Sequence, residues 1–290
     1  MASYAFRLLN VFADSTFSGN QLCVFEDARG MDDATMLNLA AQFNLSETTF
    51  ILPSERADAR VRIFTPGFEM KFAGHPAIGT AQVVRGLLQT GDALTLEFPA
   101  GVVPMSADRD AWTFTAPCPD GVRTAVPALD RAGIAELVGL SASDLSADPI
   151  WVDTGADHLL VPLANAHAVR RAAPDAALLD RWQTSSLGRK TLYLFAIDQG
   201  NVQAGRQVVA ARYFYAKPGG GINEDPGTGS ACANLGGWLL HRKAALPASL
   251  LVEQGDQTGR PCRLLLDVYP DGRILVGGRA LEIGRGEVTL

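Results

Sequence analysis

A chain of 290 residues with 47 % hydrophobic and 19 % charged side chains carries ample apolar surface for one large or two medium cores, which excludes disorder over most of its length. Its 25 basic and 31 acidic residues, net −6, exclude the clustered Lys/Arg footprint needed to neutralise nucleic-acid phosphates. The start lacks the basic-then-apolar pattern of a signal peptide, and no uncharged apolar run reaches the roughly 18 residues of a membrane span, so a cytoplasmic protein with no membrane contact is expected.

In chain order, residues 7–13 and 21–25 read as strands joined through Ser18-Gly19-Asn20. Asp32 or Asp33 caps a helix to about Phe43, whose Met36, Leu39, Ala40 and Phe43 form one apolar stripe. Strands at 47–52 and 59–65 precede a Gly/Pro-interrupted stretch, 66–76, and a second helix to about Gln89. Strands at 94–98 and 112–116 close this half, and the Pro/Gly/Asp-rich 117–127 suits a linker.

The second half predicts a short helix at 130–138, strands at 149–153 and 158–163, and one or two helices within 164–187. Strands at 191–197 and 208–215 lead to a long Gly-rich loop and a helix from Pro226 to about Lys243. Strands at 250–254, 262–269 and 274–279, with 286–290 a further short one, end the chain. Cys23, Cys118, Cys232 and Cys262 are far apart in a chain large enough to need no staples, so reduced thiols are expected.

The halves can be superimposed by sliding the sequence 150 positions. Arg62-Ile63-Phe64 then meets Arg212-Tyr213-Phe214, His75-Pro76 meets Asp225-Pro226, and Gly79-Thr80-Ala81 meets Gly229-Ser230-Ala231. Five identities in twenty positions exceed the roughly one or two expected by chance. The alternative is coincidence between two strand–loop–helix units; an internal duplication with two similar lobes accounts for more.

In each unit an X-Pro pair opens a helix, which makes His75 and Asp225 the expected N-caps, with Pro76 and Pro226 at the first helical position. Two helix N-termini followed by small residues are two anion sites, suited to a small carboxylate. Close helix packing is the other use for those glycines. Glu47 opens an apolar strand, where burial would raise a carboxyl group toward the range useful for proton transfer; an exposed edge-strand glutamate is the alternative. No phosphate loop, serine-hydrolase elbow or metal-ligand spacing is present, so no metal site is expected.

Leu45-Ser46-Glu47-Thr48-Thr49-Phe50, Arg62-Ile63-Phe64-Thr65-Pro66, Phe72-Ala73-Gly74-His75-Pro76, Glu224-Asp225, Thr228-Gly229-Ser230-Ala231, Gln254-Gly255 and Gly259-Arg260-Pro261 resemble the signature segments of the PhzF-like phenazine-biosynthesis isomerases. The resemblance implies an α/β diaminopimelate epimerase-like fold: two pseudo-symmetric lobes, each a barrel-like, mostly antiparallel sheet around a central helix, with the site between them. The expected lobes are 1–120 with 277–290, and 121–276. The resemblance further implies Glu47 as the acid/base, with His75 and Asp225 assisting. It makes Ser46, Gly74, Thr228, Gly229 and Ser230 substrate-binding, with backbone N–H groups around Gly74, Gly229 and Ser230 holding the carboxylate, calls for no cofactor, and makes a homodimer usual.

The expected activity is an isomerase that moves a proton on a cyclic unsaturated carboxylate, as in trans-2,3-dihydro-3-hydroxyanthranilate isomerisation. The cysteine pair of diaminopimelate epimerases is absent here, and Cys232 reads as structural. An epimerase or racemase using His75 and Asp225, and a non-catalytic ligand-binding homologue, are the alternatives.

Overall fold

The computed structural model describes residues 1–118, 121–217 and 219–290; Pro119 and Asp120 of the expected linker, and Pro218 of the expected Gly-rich loop, lie outside the described residues. The elements are, in order, β1 (Ser3–Val11), β2 (Asn20–Phe25), α1 (Asp33–Phe43), β3 (Glu47–Leu52), β4 (Ala59–Phe64), β5 (Glu69–Met70), α2 (Gly74–Leu88), β6 (Ala93–Phe98), β7 (Gly101–Asp108) and β8 (Ala111–Thr115). There follow β9 (Arg123–Ala125), α3 (Arg131–Leu137), β10 (Ile150–Asp153), β11 (Asp157–Pro162), α4 (Ala166–Arg171), β12 (Thr191–Gln203), β13 (Arg206–Ala216), β14 (Ile222–Asp225), α5 (Gly229–His241), β15 (Ala248–Gln254), β16 (Cys262–Val268) and β17 (Ile274–Thr289). The chain divides into two compact units, Met1–Thr115 with Gly277–Leu290, and Ala116–Val276.

In the first unit the strands form a closed circuit of eight. β1 pairs antiparallel with β2, β2 parallel with β3, β3 antiparallel with β4 and β4 parallel with β6; β6, β7, β8 and β17 then lead back to β1. Closure leaves no sheet edge exposed and creates an interior to fill. The filler is α2, which packs on β1, β2, β3, β4, β6 and β8 and is buried at every residue from Gly74 to Ala81. A helix without a polar face is what such an interior accepts. On the outside, α1 covers a second core with Met36, Leu39 and Ala40 against Phe25, Phe50 and Phe64.

The second unit repeats the sequence of pairings. β10 is antiparallel to β11, β11 parallel to β12, β12 antiparallel to β13, β13 parallel to β15 and β15 antiparallel to β16, with α5 against β10, β11 and β16. Here Gly236 and Gly237 give α5 its close approach: a Cβ on Gly236 would lie 2.7 Å from Ile274 Cγ2, and one on Gly237 2.9 Å from Val152 Cγ1. In α2, Gly79 has the same use, since its Cβ would collide with the Leu22 side chain. Close packing, and no ligand contact, therefore explains Gly79.

Local structure follows the sequence closely around α1. Asp32 caps it by accepting from Thr35 N at 2.8 Å, and Asn44 ends it in the left-handed region at φ 52°, its N–H donating to Ala40 O. That stop delivers Glu47 to the first position of β3. Other boundaries differ. β7 occupies residues that contain Pro104; the alternation of buried Val103 and Met105 with exposed Val102 and Pro104 is a strand pattern, and pairing with β8 begins only after the proline, at Met105. β14 lies within the expected Gly-rich loop, β9 within the expected linker, and the two expected C-terminal strands are one.

The helix starts are also corrected. The N-cap of α2 is Ala73 and that of α5 is Thr228, with Ala73 O accepting from Ala77 N and Thr228 O from Cys232 N. His75 is thus the second residue of α2 rather than its cap. Pro76 falls at the third, where the absent N–H still has no intrahelical partner to lose. Asp225 is the last residue of β14, held opposite Tyr213, so it is unavailable as a cap.

This changes how the repeat aligns. Phe64 faces Glu69 and Ile63 faces Met70, while Phe214 faces Glu224 and Tyr213 faces Asp225. The gapless 150-residue offset therefore holds through β4 and β13. Past the turn it becomes 155, because the second unit has the longer loop. Arg62 forks onto Glu69 through Nε and Nη2, both at 2.7 Å, and Arg212 onto Glu224 at 3.0 and 2.6 Å; each also lies over the phenylalanine two residues on. The matched arginines are one structural device used twice, tying down the strand that precedes each central helix. By this register the counterpart of His75 is Ser230, and that of Asp225 is Met70. The expected His75–Asp225 correspondence, on which the epimerase alternative drew, does not hold.

Candidate active site

In the first unit Glu47 and His75 meet. Glu47 Oε2 lies 3.3 Å from His75 Nε2, with the two side chains 16 % and 6 % exposed. The contact is built by three elements. Parallel pairing sets Glu47 beside Leu22 of β2, α2 runs inside the circuit, and the buried Thr49 Oγ1 and Thr80 Oγ1, 2.9 Å apart, fasten β3 to α2. Ser46 is exposed, and its hydroxyl reaches Asn20 Oδ1 at 3.4 Å. Gly74 is the first residue of α2, and its N-cap Ala73 offers no side-chain acceptor.

Burial pushes His75 down to about 3, so the ring is neutral at physiological pH; a hydrogen bond to the Gln21 backbone pushes the other way. A contact that favours the charged ring is made to an acceptor, hence to the Gln21 carbonyl. Nε2 is the atom turned to Glu47 and makes no hydrogen bond, so the donor to Gln21 is Nδ1. The neutral ring then offers Glu47 a lone pair at Nε2. The two facing atoms make no hydrogen bond as they stand, and a proton placed on the Glu47 carboxyl would close one to the Nε2 lone pair.

The second unit assembles a different set. Asp225 accepts a short hydrogen bond from the Thr228 hydroxyl. Gln254, itself buried, donates to the Asp225 carbonyl at 2.8 Å and to Thr228 Oγ1 at 3.0 Å. Gly255 completes the clamp at φ +82°, packed so tightly against Pro226 and Arg260 that a Cβ would collide with their carbonyls. Thr228 Oγ1 is engaged with Asp225 and Gln254, and α5 has no side-chain cap. Gly229 and Ser230 are its first two residues, and Ser230 Oγ lies 2.9 Å from His158 Nε2. Asp225, Thr228, Gly229 and Ser230 thus lie together around one helix start.

His158, Tyr213, Thr191 and Gln254 carry the second-unit set without having been singled out as functional. His158 had a signal: it is one of four histidines and opens the apolar strand His158-Leu159-Leu160-Val161, the same pattern that marked Glu47. It is 1 % exposed, and burial pushes it down to about 3, aided by the Arg189 charge and opposed by Asp153. Among the described residues no group of His, Cys, Asp and Glu has the clustering of a metal site, and no helix is long and apolar enough to cross a membrane. Cys232 is buried within α5 with its thiol pushed up by desolvation, consistent with a packing role.

Two buried neutral histidines have a consequence for stability. Below about pH 6.5 the unfolded chain takes up protons at both positions, whereas the folded one does not until near pH 3, so stability falls as pH falls through that window. Thermal unfolding between about pH 7 and 4.5 should show a declining midpoint, and His158→Gln should flatten the decline. A native midpoint independent of pH in this window, or an unchanged slope in the variant, would contradict this.

A family model described as phenazine biosynthesis-like protein, PhzC-PhzF, matches residues 9–286. The chain belongs to this family. It is 36 % identical over 290 residues to an uncharacterized isomerase of Pasteurella multocida, covering 99 % of this chain and 95 % of that one. It is 32 % identical over 292 residues to the trans-2,3-dihydro-3-hydroxyanthranilate isomerase of Pseudomonas chlororaphis, covering 98 % of each. The crystal structure of a PhzF-family phenazine biosynthesis protein of Bacillus anthracis superimposes with a TM-score of 0.84 at 24 % identity, over 100 % of both chains, a likeness of fold. This PhzF-family member is an isomerase with the diaminopimelate epimerase-like fold expected from its sequence.

Proposed function

We propose that this PhzF-family protein is a cofactor-independent isomerase that shifts a proton between two carbons of a small, cyclic, unsaturated carboxylate, with trans-2,3-dihydro-3-hydroxyanthranilate as the first substrate to test. The observation that carries the reading is the Glu47 side chain, partly exposed but with its buried Oε2 held 3.3 Å from the neutral ring of His75. Glu47 as carboxylate takes the proton from one carbon of an allylic system and, as carboxylic acid, returns it to another. His75, with its lone pair toward Glu47, orients the carboxyl and steadies its protonated form. The net change is a moved proton and a moved double bond, with no change in oxidation state, so no redox group is called for.

Asp225 assists by accepting hydrogen bonds from polar substituents of the substrate, its orientation set by Thr228 and Gln254. Gly74 and Gly229 N–H groups and the Ser46 and Ser230 side chains are the carboxylate-binding positions in this reading, with Thr228 acting through Asp225; two helix starts without side-chain caps support it. The test is turnover in D₂O. Isomerisation of unlabelled substrate is expected to place deuterium at the carbon that receives the proton, in part, because a Glu47 side chain 16 % exposed exchanges with solvent during some turnovers. Absence of isomerisation, or the same labelled product from Glu47→Gln, would overturn the assignment.

A further inference from the structure

The strand register gives Glu47 a counterpart. Thr48 faces Phe64 in β3–β4, and Leu192 faces Phe214 in β12–β13, so Glu47 corresponds to Thr191. Since His75 corresponds to Ser230, the place that holds the acid/base pair in the first unit holds two hydroxyl residues in the second. Between them lies His158, whose Nδ1 is 3.3 Å from Thr191 Oγ1 and whose Nε2 is 2.9 Å from Ser230 Oγ. Tyr213 OH is also 3.3 Å from Nδ1 and hydrogen-bonds Thr191.

Counting protons within this group favours one tautomer. Nδ1, Thr191 and Tyr213 form a triangle of mutual contacts. If Nδ1 is bare, the two hydroxyl protons suffice: Thr191 donates to Tyr213 and Tyr213 to Nδ1, and each proton has an acceptor. If Nδ1 carries a proton, three donors share two oxygens and one is left without an acceptor inside the triangle, at a site where His158 is 1 % exposed and Tyr213 6 %. The tautomer with its proton on Nε2, donating to Ser230 Oγ, is the one that satisfies every donor of the triangle.

We propose that His158 is a positioning residue for Ser230: by donating from Nε2 it occupies a lone pair of the serine oxygen and turns the serine O–H away, as a donor to the substrate's carboxylate at the start of α5. The inference rests on the reading of Ser230 as a carboxylate ligand. It goes further in giving the second unit a role of its own, because the position equivalent to the proton-transferring pair has become a fixed hydrogen-bond donor, held by a ring that is neutral and buried. A histidine that transferred protons would need access to solvent or substrate, and here both ring nitrogens face side chains of its own unit.

Calorimetric binding of 3-hydroxyanthranilate, an aromatic carboxylate that cannot be isomerised, provides the test. His158→Gln places an amide N–H near Nε2, whereas His158→Asn keeps a polar group near Nδ1 and leaves Ser230 without its donor. Native protein and His158→Gln should bind within about twofold of each other, and Ser230→Ala and His158→Asn about five- to tenfold more weakly, the worth of one neutral hydrogen bond. With the dihydro substrate, His158→Asn should raise KM by a similar factor and leave kcat within about twofold. On the Ser230→Ala background His158→Asn should add nothing.

Equal affinities for the Asn and Gln variants, or the same loss from His158→Asn with and without Ser230, would overturn the positioning role and leave the carboxylate reading standing. Unaltered binding by Ser230→Ala, or none by the native protein, would remove the carboxylate reading and the inference with it.

Discussion

Glu47→Gln is expected to lower kcat for isomerisation by about 10²–10⁴-fold, the range a positioned general acid/base contributes. The substitution preserves size, and the amide can still meet His75 Nε2 through its N–H, so the melting temperature should stay near that of the native protein. Lost is the ability to accept a proton from carbon, and with it both halves of the transfer. KM should change little, because the substitution keeps the shape of the side chain and leaves the carboxylate-binding groups, Ser46 and Gly74 beside the pair included, in place. His75→Gln should cost less, since the carboxyl that moves the proton remains and only its orientation and neutral partner are removed. The measurement is kcat and KM for both variants beside their thermal unfolding. A Glu47→Gln enzyme within about tenfold of native turnover would remove Glu47 from the chemistry, and a large loss of stability would show the glutamate to be structural.

Much of this was legible in the sequence because local signals were strong. Asp32 or Asp33 and the stripe through Met36, Leu39 and Ala40 mark α1, and the apolar run that Glu47 opens marks β3. The arginine shared by β4 and β13 revealed the duplication. What the sequence concealed was the register beyond the turn. A gapless offset laid Asp225-Pro226 on His75-Pro76, and the prolines made that match persuasive. The structure instead aligns Glu69 with Glu224 and Gly74 with Gly229, because an extra length of loop is absorbed between β13 and β14.

The same mismatch hid the role of His158. Its partners Thr191, Tyr213 and Ser230 come from two other strands and a helix, and only the folded pairing of β11, β12 and β13 brings them together. Glu47 was easier to find, since a carboxylate opening an apolar strand stands out by residue type alone. Gly79 misled for the opposite reason: a glycine near a helix start is the same letter whether it opens backbone to a ligand or, as here, lets α2 approach Leu22.

The corrected register makes Asn234 the counterpart of Gly79, and the two central helices use this position in opposite ways. Asn234 is fully buried, accepts from Thr154 N at 3.0 Å and Thr154 Oγ1 at 2.6 Å, and donates to Val152 O at 2.6 Å and Ala156 O at 2.8 Å. One amide thus closes the turn between β10 and β11, the turn that delivers His158. Asn234→Leu keeps the volume and removes all of these bonds, leaving backbone and hydroxyl groups of residues 152–156 buried without their partner. With four such groups each costing about 1–3 kcal/mol, a loss of at least about 4 kcal/mol is expected, on the order of 10 °C in melting temperature for a chain of this size. Asn234→Asp keeps the acceptor for Thr154 and loses the donors, and should fall between. Because the turn sets the start of β11, the Leu variant should also bind 3-hydroxyanthranilate more weakly, through His158 and Ser230, while Glu47 and His75 in the other unit keep their contact. A melting temperature within about 2 °C of native would mean that the turn holds without the amide, and the link from α5 to His158 would have to be carried by the β10–β11 ladder alone.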